Sequence, residues 1–485
     1  MTGSFVEVVR RHALQTPQAP AVTDPATAWS WADLWRRAHQ IGGALADRGI
    51  GPGDRVGTAM DPGAEHLAVL IGIMAGGATA APLNVKLAPA ELARYLDAVR
   101  PSAIVVGDGH RPQTRVPSYL SGELVGAAAS WQHHRTPGDA PTIVFGTGGT
   151  TGTPRGAVWS TAGLADYLAC SALALEARRT DTELFFAPFF HIALATCALS
   201  TLYVGGGLVV EPRFDAGRAV DLLLTGRANR LFGPPTALNR ILDHPAFDSS
   251  RTGHIRTVLF GSTASEPDLP ERLGRGFGHA TLITGYGATE FGAVARLRSW
   301  ENGGRMSGIG WPVPGAELRI VSAAGEPVAA GEVGELVVRA PWQMAGYLID
   351  GVPQPVPEEG VRSGDLAARA PDGSIELRGR LKELIITGGE NVFPIEVERV
   401  LCEHPDVAQA AVVGVSDPGW GERVEAVVVP AAGSTGALVG DLDRHCRERL
   451  AGYKVPKRIV VRDAMPLTTA MKIDKLTLKR WLDEH

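Results

Sequence analysis

The chain has 485 residues, 45% of them hydrophobic, and a formal net charge of -5. That length exceeds what one hydrophobic core can organise, so a large domain with a smaller one, or three lobes, is expected. The acidic balance speaks against nucleic acid or a membrane surface as the main partner, so any basic site must be local. At the N-terminus, Glu7, Arg10 and Arg11 fall where an export signal needs an apolar run. The four cysteines, Cys170, Cys197, Cys402 and Cys446, are far apart and share no metal-ligand spacing. Both features fit a reduced, cytoplasmic protein.

Ser30 with Asp33 three residues on reads as a capping box, followed by Leu34, Ala38, Ile41 and Leu45 at helical spacing up to Gly49. Gly51 to Val56 turns into a strand, Leu67 to Met74 reads as a buried helix and Ala80 to Leu83 as a strand. Such alternation predicts helices packed over a largely parallel sheet. A further strand is expected at Ala103 to Val106, and His133-His134 reads as a solvated pair rather than a metal site. The uncharged stretch Ile192 to Val210 is long enough to suggest a membrane span, but Gly205, Gly206 and Gly207 interrupt it. A buried helix, a turn and a strand account for it better. Helix, strand and helix are expected from Asp215 to Leu242, and a strand at Thr257 to Phe260. After Gly303, short strands at Leu318 to Val321, Gly334 to Arg339 and Ile375 to Arg378 predict a small β-rich lobe. From Leu381 onward mixed strands and helices return, which sets a domain boundary near Arg380 to Lys382.

The stretch Thr142 to Val158 carries the strongest chemical signal. Ile143, Val144 and Phe145 end a buried strand, and the loop beyond alternates Gly146, Gly148, Gly149 and Gly152 with Thr147, Thr150, Thr151 and Thr153. Glycines let backbone N–H groups face an anion closely, threonine hydroxyls add donors, and Arg155 supplies fixed charge. A nucleotide P-loop reading loses its main support, since Gly152 is followed by Thr153-Pro154 rather than Lys-Ser or Lys-Thr. A dinucleotide Gly-x-Gly-x-x-Gly motif fails at Thr151.

Thr147 to Gly156 resembles the Thr-Ser-Gly-Thr-Thr-Gly-x-Pro-Lys-Gly signature of the adenylate-forming superfamily, which includes acyl-CoA synthetases, peptide-synthetase adenylation domains and luciferases. Gly148 replaces the usual Ser and Arg155 the usual Lys. Further segments resemble the family in order. Gly285-Tyr286-Gly287-Ala288-Thr289-Glu290 is similar to Tyr-Gly-x-Thr-Glu. By that resemblance Tyr286 packs on adenine, Thr289 bonds the α-phosphate and Glu290 holds Mg²⁺. Ser363-Gly364-Asp365-Leu366 resembles the motif whose aspartate takes the ribose hydroxyls, and Gly379-Arg380-Leu381-Lys382 the segment in which the arginine meets the ribose and Lys382 is the hinge. Ala187 to His191 resembles the segment at the mouth of the acid pocket, whose wall the resemblance places at Gly261, Ser262, Thr263, Gly285 and Gly287.

Pro466 to Lys472 resembles the C-terminal motif in which Lys472 bridges the α-phosphate and the attacking carboxylate. Met471 stands where the family has glycine, and a side chain there resists positive φ. Gly388 and Gly389 resemble the loop lining the pantetheine tunnel, and Tyr453-Lys454 an aromatic-lysine pair near the CoA nucleotide.

The implied fold is α/β: a large N-terminal domain (1–379) of mixed sheets flanked by helices with a β-rich lobe, and a small mobile α+β domain (380–485). The implied activity is AMP-forming acid:CoA ligation with ATP, Mg²⁺ and CoA by a monomer or homodimer. Loading of a carrier protein, adenylation of another oxyanion such as nitrite for transfer to an amine, and a non-catalytic nucleotide-binding scaffold are the alternatives. The set Glu290, Asp365, Arg380 and Lys472 speaks against the scaffold.

Overall fold

Ser30 caps the helix Trp31–Ala46 as a full capping box, with the Asp33 carboxylate accepting the Ser30 N–H at 3.1 Å. Leu34, Ala38, Ile41 and Leu45 are buried along one side of that helix. The helix Ala64–Ala75 lies so close to it that a Cβ on Gly72 would stand 2.6 Å from the Ala38 carbonyl. The computed structural model describes residues 3–125, 131–147, 155–261, 268–306, 308–431, 438–467 and 473–483. Gly148, Gly149, Thr150, Thr151, Gly152, Ser262, Thr263, Met471 and Lys472 lie outside the described residues.

The chain divides into two units, Met1–Leu318 with Val338–Val361, and Arg319–Val337 with Arg362–His485. This division differs from a break at 379/380. The β-rich lobe groups with the C-terminal residues, where Gly379 lies against Ile395 at the start of the helix Pro394–Cys402.

In the larger unit a nine-stranded sheet has six parallel central strands: Pro20–Thr23, Gly207–Val210, Thr182–Phe185, Arg230–Gly233, Thr257–Phe260 and Thr281–Ala288. Strands such as Thr257–Phe260 are buried throughout, as expected when helices cover both faces. The stretch 192–210 forms a π-helix Leu194–Leu199, a short helix Ser200–Tyr203, a turn with Gly205 at φ 89° and the strand Gly207–Val210. Among the described residues no helix is long and apolar enough to cross a membrane.

An eight-stranded sheet completes this unit. Its strand Pro141–Thr147 lies parallel to Thr79–Pro82, then returns as the antiparallel strand Arg155–Ser160, against which Gly346–Ile349 and Val352–Pro355 are added. The glycine-threonine loop therefore joins two strands of a hairpin, not a strand to a helix. His133 is not simply solvated, since its Nε2 lies 2.6 Å from Glu7 Oε1 and its ring sits edge-on to Trp35.

A four-stranded sheet, most of whose residues belong to the smaller unit, runs Glu317–Val321, Gly334–Arg339, Val361–Arg369 and Ile375–Arg380. A second sheet is built on the long pair Val407–Asp417 and Gly421–Pro430. Ala410 and Val412 pack with Val397, Leu401 and Leu442, while Ala411, Val413 and Val415 pack with Leu478 and Leu482. Alternation along one strand thus fills two cores.

Two buried polar features of the larger unit give stability predictions. Arg230 Nε and Glu183 Oε2 are 3.0 Å apart with both side chains at 0% exposure. Removing one partner strands a charge, so Arg230→Met should cost about 3–5 kcal/mol in urea unfolding, and Glu183→Leu added to it should recover most of the loss. An Arg230→Met protein of unchanged stability would refute this.

His66 is buried with Nε2 2.8 Å from Thr58 Oγ1, and burial pulls its pKa from 6.5 to about 3. The unfolded chain binds that proton at higher pH than the folded one, so this stability is complete above pH 6.5 and drains away as pH falls toward 3. Between pH 7 and 4.5 the loss is about 2–3 kcal/mol. Urea titrations across that range should show a shallower slope for His66→Gln. Part of the slope remains, because burial also lowers His12 and His39. Identical slopes for the two proteins would remove His66 from the account.

Candidate active site

In open parallel sheets, ligands bind beyond the carboxyl ends of the strands. At that edge of the nine-stranded sheet lie the turn holding His191, the residue Gly261 and the segment Gly285 to Glu290. His191 follows the strand Thr182–Phe185; its Nδ1 accepts the Ala193 N–H at 3.1 Å, which leaves the neutral ring's proton on Nε2. Phe189 in the same turn is core, 1% exposed and packed on Phe185 and His66. Tyr286 is buried, its ring 6.0 Å from that of Phe291.

Gly285 and Gly287 have a cause besides the pocket wall. A Cβ on Gly285 would stand 2.8 Å from the Ala295 carbonyl, and one on Gly287 only 2.3 Å from that of Gly292. The neighbouring strand Gly292–Arg298 occupies the space a side chain would need. Gly261 has φ 157°, which a side chain disfavours.

The hairpin of Pro141–Thr147 and Arg155–Ser160 and the Thr289-Glu290 segment are fastened together. Thr147 pairs with Arg155 at the last register position of the hairpin, and the Thr147 hydroxyl donates to the Arg155 carbonyl at 3.4 Å. Odd-numbered residues of the return strand share a face, so Arg155, Ala157 and Trp159 point the same way. Tyr347, paired with Ala157 on the adjacent strand, joins them. Over this face the Trp159 indole N–H donates to the Thr289 carbonyl at 3.0 Å, and the Tyr347 hydroxyl donates to Glu290 Oε1. The Met344 N–H donates to the Glu290 carbonyl at 2.8 Å. The Arg155 guanidinium stands 5.6 Å above the Tyr347 ring centroid. Burial, then the Glu290 carboxylate, pushes the Tyr347 phenol above its ordinary pKa, so it stays a proton donor.

Glu290 fits a magnesium ion. Mg²⁺ takes one or two carboxylates and completes its shell with phosphate oxygens and water. Glu290 offers one half-buried carboxylate on the face that carries Arg155. Among the described residues no group of three or more His, Cys, Asp or Glu forms a self-sufficient metal site.

In the smaller unit Asp365 and Arg380 are cross-strand partners, with Nε and Oδ1 2.8 Å apart and Asp365 5% exposed. Gly364 carries φ 71° and turns its N–H to Glu335 Oε1 at 3.2 Å, while the Asp365 N–H donates to Ser363 Oγ at 3.0 Å. The fourteen residues between Asp365 and Arg380 fold into a hairpin that makes the two neighbours. Lys382 is exposed in the turn Leu381–Glu383.

Gly388 and Gly389, at φ 59° and 86°, form the two-residue turn between Ile385–Thr387 and Glu390–Val392. Trp420, 59% exposed, covers this turn, so a Cβ on Gly388 would fall 2.6 Å from its ring. Lys454 bonds both oxygens of Glu396, at 2.7 and 2.8 Å, and stands over the Tyr453 ring. Leu467 and Ile473 form an antiparallel bridge, and Lys475 Nζ meets Glu383 at 2.7 Å and Glu398 at 2.8 Å.

Tyr347, Trp420 and Lys475 were not singled out by sequence reasoning. Tyr347 and Trp420 follow glycines in turn-rich segments, a weak signal that thousands of structural residues share.

The AMP-binding enzyme family matches residues 9–348, and the AMP-binding enzyme C-terminal domain matches residues 396–472. The chain is 35% identical to feruloyl-CoA synthase of Amycolatopsis sp., covering 97% of each sequence. It is 32% identical to indoleacetate–CoA ligase of Aromatoleum aromaticum, covering 97% of this chain and 96% of that one. The crystal structure of ATP-bound MatB from Rhodopseudomonas palustris superposes with a TM-score of 0.91 at 26% identity, covering 100% of this chain and 99% of that one. The chain belongs to the adenylate-forming family of AMP-binding enzymes.

Proposed function

We propose that this chain is an AMP-forming acid:CoA ligase. It uses ATP to convert a carboxylic acid to acyl-AMP with release of pyrophosphate, and passes the acyl group to the thiol of CoA with release of AMP. The observation that carries the reading is the fastening of Thr289-Glu290 onto the face that bears Arg155. That face sets a carboxylate and a fixed cation beside a loop rich in N–H and hydroxyl donors, as a magnesium-bound triphosphate requires. Two relatives whose names specify ferulate and indoleacetate support an aryl or arylalkyl acid as the starting point for a screen.

Each residue has a defined task. Arg155 and the loop from Thr147 to Gly152 bind the phosphates, Thr289 bonds the α-phosphate, and Glu290 holds the metal. Bound Mg²⁺ supplies charge neutralisation on the phosphate oxygens. Tyr286 packs against adenine, and the Asp365 carboxylate can accept both hydroxyls of a vicinal diol beside Arg380. His191, Gly261, Ser262, Thr263, Gly285 and Gly287 border the acid. Lys472 neutralises the oxygens that approach one another in the first step. Gly388 and Gly389 serve the thiol step, and Lys382 is the hinge between the two. The protein works in the cytoplasm as a monomer or homodimer.

A pyrophosphate-release screen over aryl, arylalkyl and aliphatic acids and nitrite, with and without CoA, tests the reading. A CoA thioester detected by mass spectrometry with at least one acid supports it. Acyl transfer only to a carrier protein, or pyrophosphate release only with nitrite or an amine acceptor, overturns the CoA assignment.

A further inference from the structure

Tyr347 lies outside every motif that the site is built from, yet it touches two of them. Its strand is fixed on both sides, pairing Tyr347 with Ala157 and with Gln354. Gly346 before it has φ 155° and no room for a side chain, since a Cβ there would lie 1.9 Å from the Gln354 carbonyl. Leu348 after it is 2% exposed. The phenol is thus aimed by backbone that cannot easily shift. Its hydroxyl donates to Glu290 Oε1, the Met344 N–H three residues earlier holds the Glu290 carbonyl, and its ring lies beneath the Arg155 guanidinium.

The geometry points to Tyr347 as a positioning residue that sets the Glu290 carboxylate for the metal and the Arg155 guanidinium for the triphosphate. The inference rests on the metal and phosphate roles given above to Glu290 and Arg155. It also explains why arginine is suited to position 155. A planar guanidinium stacks on an aromatic face, whereas an ammonium is a compact, strongly hydrated point charge. A metal-bound carboxylate depends on the groups that orient it, and losing such a group weakens metal affinity about 10- to 100-fold.

The test separates hydroxyl from ring and reads binding rather than turnover. Tyr347→Phe keeps the ring, so ATP affinity without metal, measured by calorimetry, should be unchanged. Its Mn²⁺ affinity in the ATP complex, read by electron paramagnetic resonance, should fall about tenfold. Tyr347→Leu should show the same metal defect and also lose about threefold in metal-free ATP affinity, because Arg155 has lost its ring. Glu290→Gln is the reference variant. If Glu290→Gln weakens Mn²⁺ binding and Tyr347→Phe does not, the positioning role is overturned while Glu290 keeps its own. If Glu290→Gln leaves Mn²⁺ binding intact, the metal assignment fails and takes the role of Tyr347 with it. A fall in melting temperature with equal losses in metal-free and metal-bound affinity for Tyr347→Phe would show a merely structural residue and overturn the proposal.

Discussion

Glu290→Gln should reduce pyrophosphate release with acid, ATP and Mg²⁺ by on the order of a thousandfold, or ~4 kcal/mol at the transition state, while the protein stays folded. The amide oxygen of Gln still accepts the Tyr347 hydroxyl, and the Met344 and Trp159 bonds to this segment go to backbone carbonyls. What the substitution removes is the charge. Because stability and metal chemistry rest on different atoms of the same segment, circular dichroism and single-turnover adenylation should part company. A folded variant with near-normal adenylation would show that Glu290 holds no metal.

Lys472→Ala should slow formation of acyl-AMP from acid and ATP on the order of 100- to 1000-fold, yet leave thioester formation from supplied acyl-AMP close to that of the unaltered protein. The Leu467–Ile473 bridge and the Lys475 pair to Glu383 and Glu398 are made by residues other than Lys472. Lys382→Pro should give the opposite pattern, since proline fixes φ near roughly -65° at the proposed hinge and should impede thiol transfer more than adenylation. Each half-reaction is measured as a single-turnover rate with the acid found in the screen. Equal losses in both half-reactions for both variants would defeat the division of labour between Lys472 and the hinge.

Local signals in the sequence were reliable wherever the interaction that decides the structure is itself local. The capping box at Ser30, the strands Ala103–Val106 and Thr257–Phe260 and the interrupted apolar stretch after Ile192 each follow from neighbours within a few residues. Contacts between distant segments could not be read this way. His133 looks solvated beside His134 until Glu7, 126 residues away, supplies its partner. Tyr347 meets Glu290 across 57 residues because two strands are added to the far side of the hairpin of Pro141–Thr147 and Arg155–Ser160. Gly285 and Gly287 carry a motif, but their missing side chains answer first to the carbonyls of the next strand. The β-rich lobe has a strand periodicity that is plain in the sequence. Its grouping with the C-terminal residues depends on packing that periodicity does not encode.

The return strand Arg155–Ser160 has an evolutionary consequence through its parity. Arg155 and Trp159 share one face because both are odd positions of one pleat, with Tyr347 opposite Ala157. Deleting a single residue between them would send one of the two to the other side of the sheet, however conservative the change in composition. A library of single-residue deletions across Arg155–Ser160 should therefore recover no active protein, whereas substitutions that keep the strand's length and the identities of Arg155 and Trp159 should be recovered.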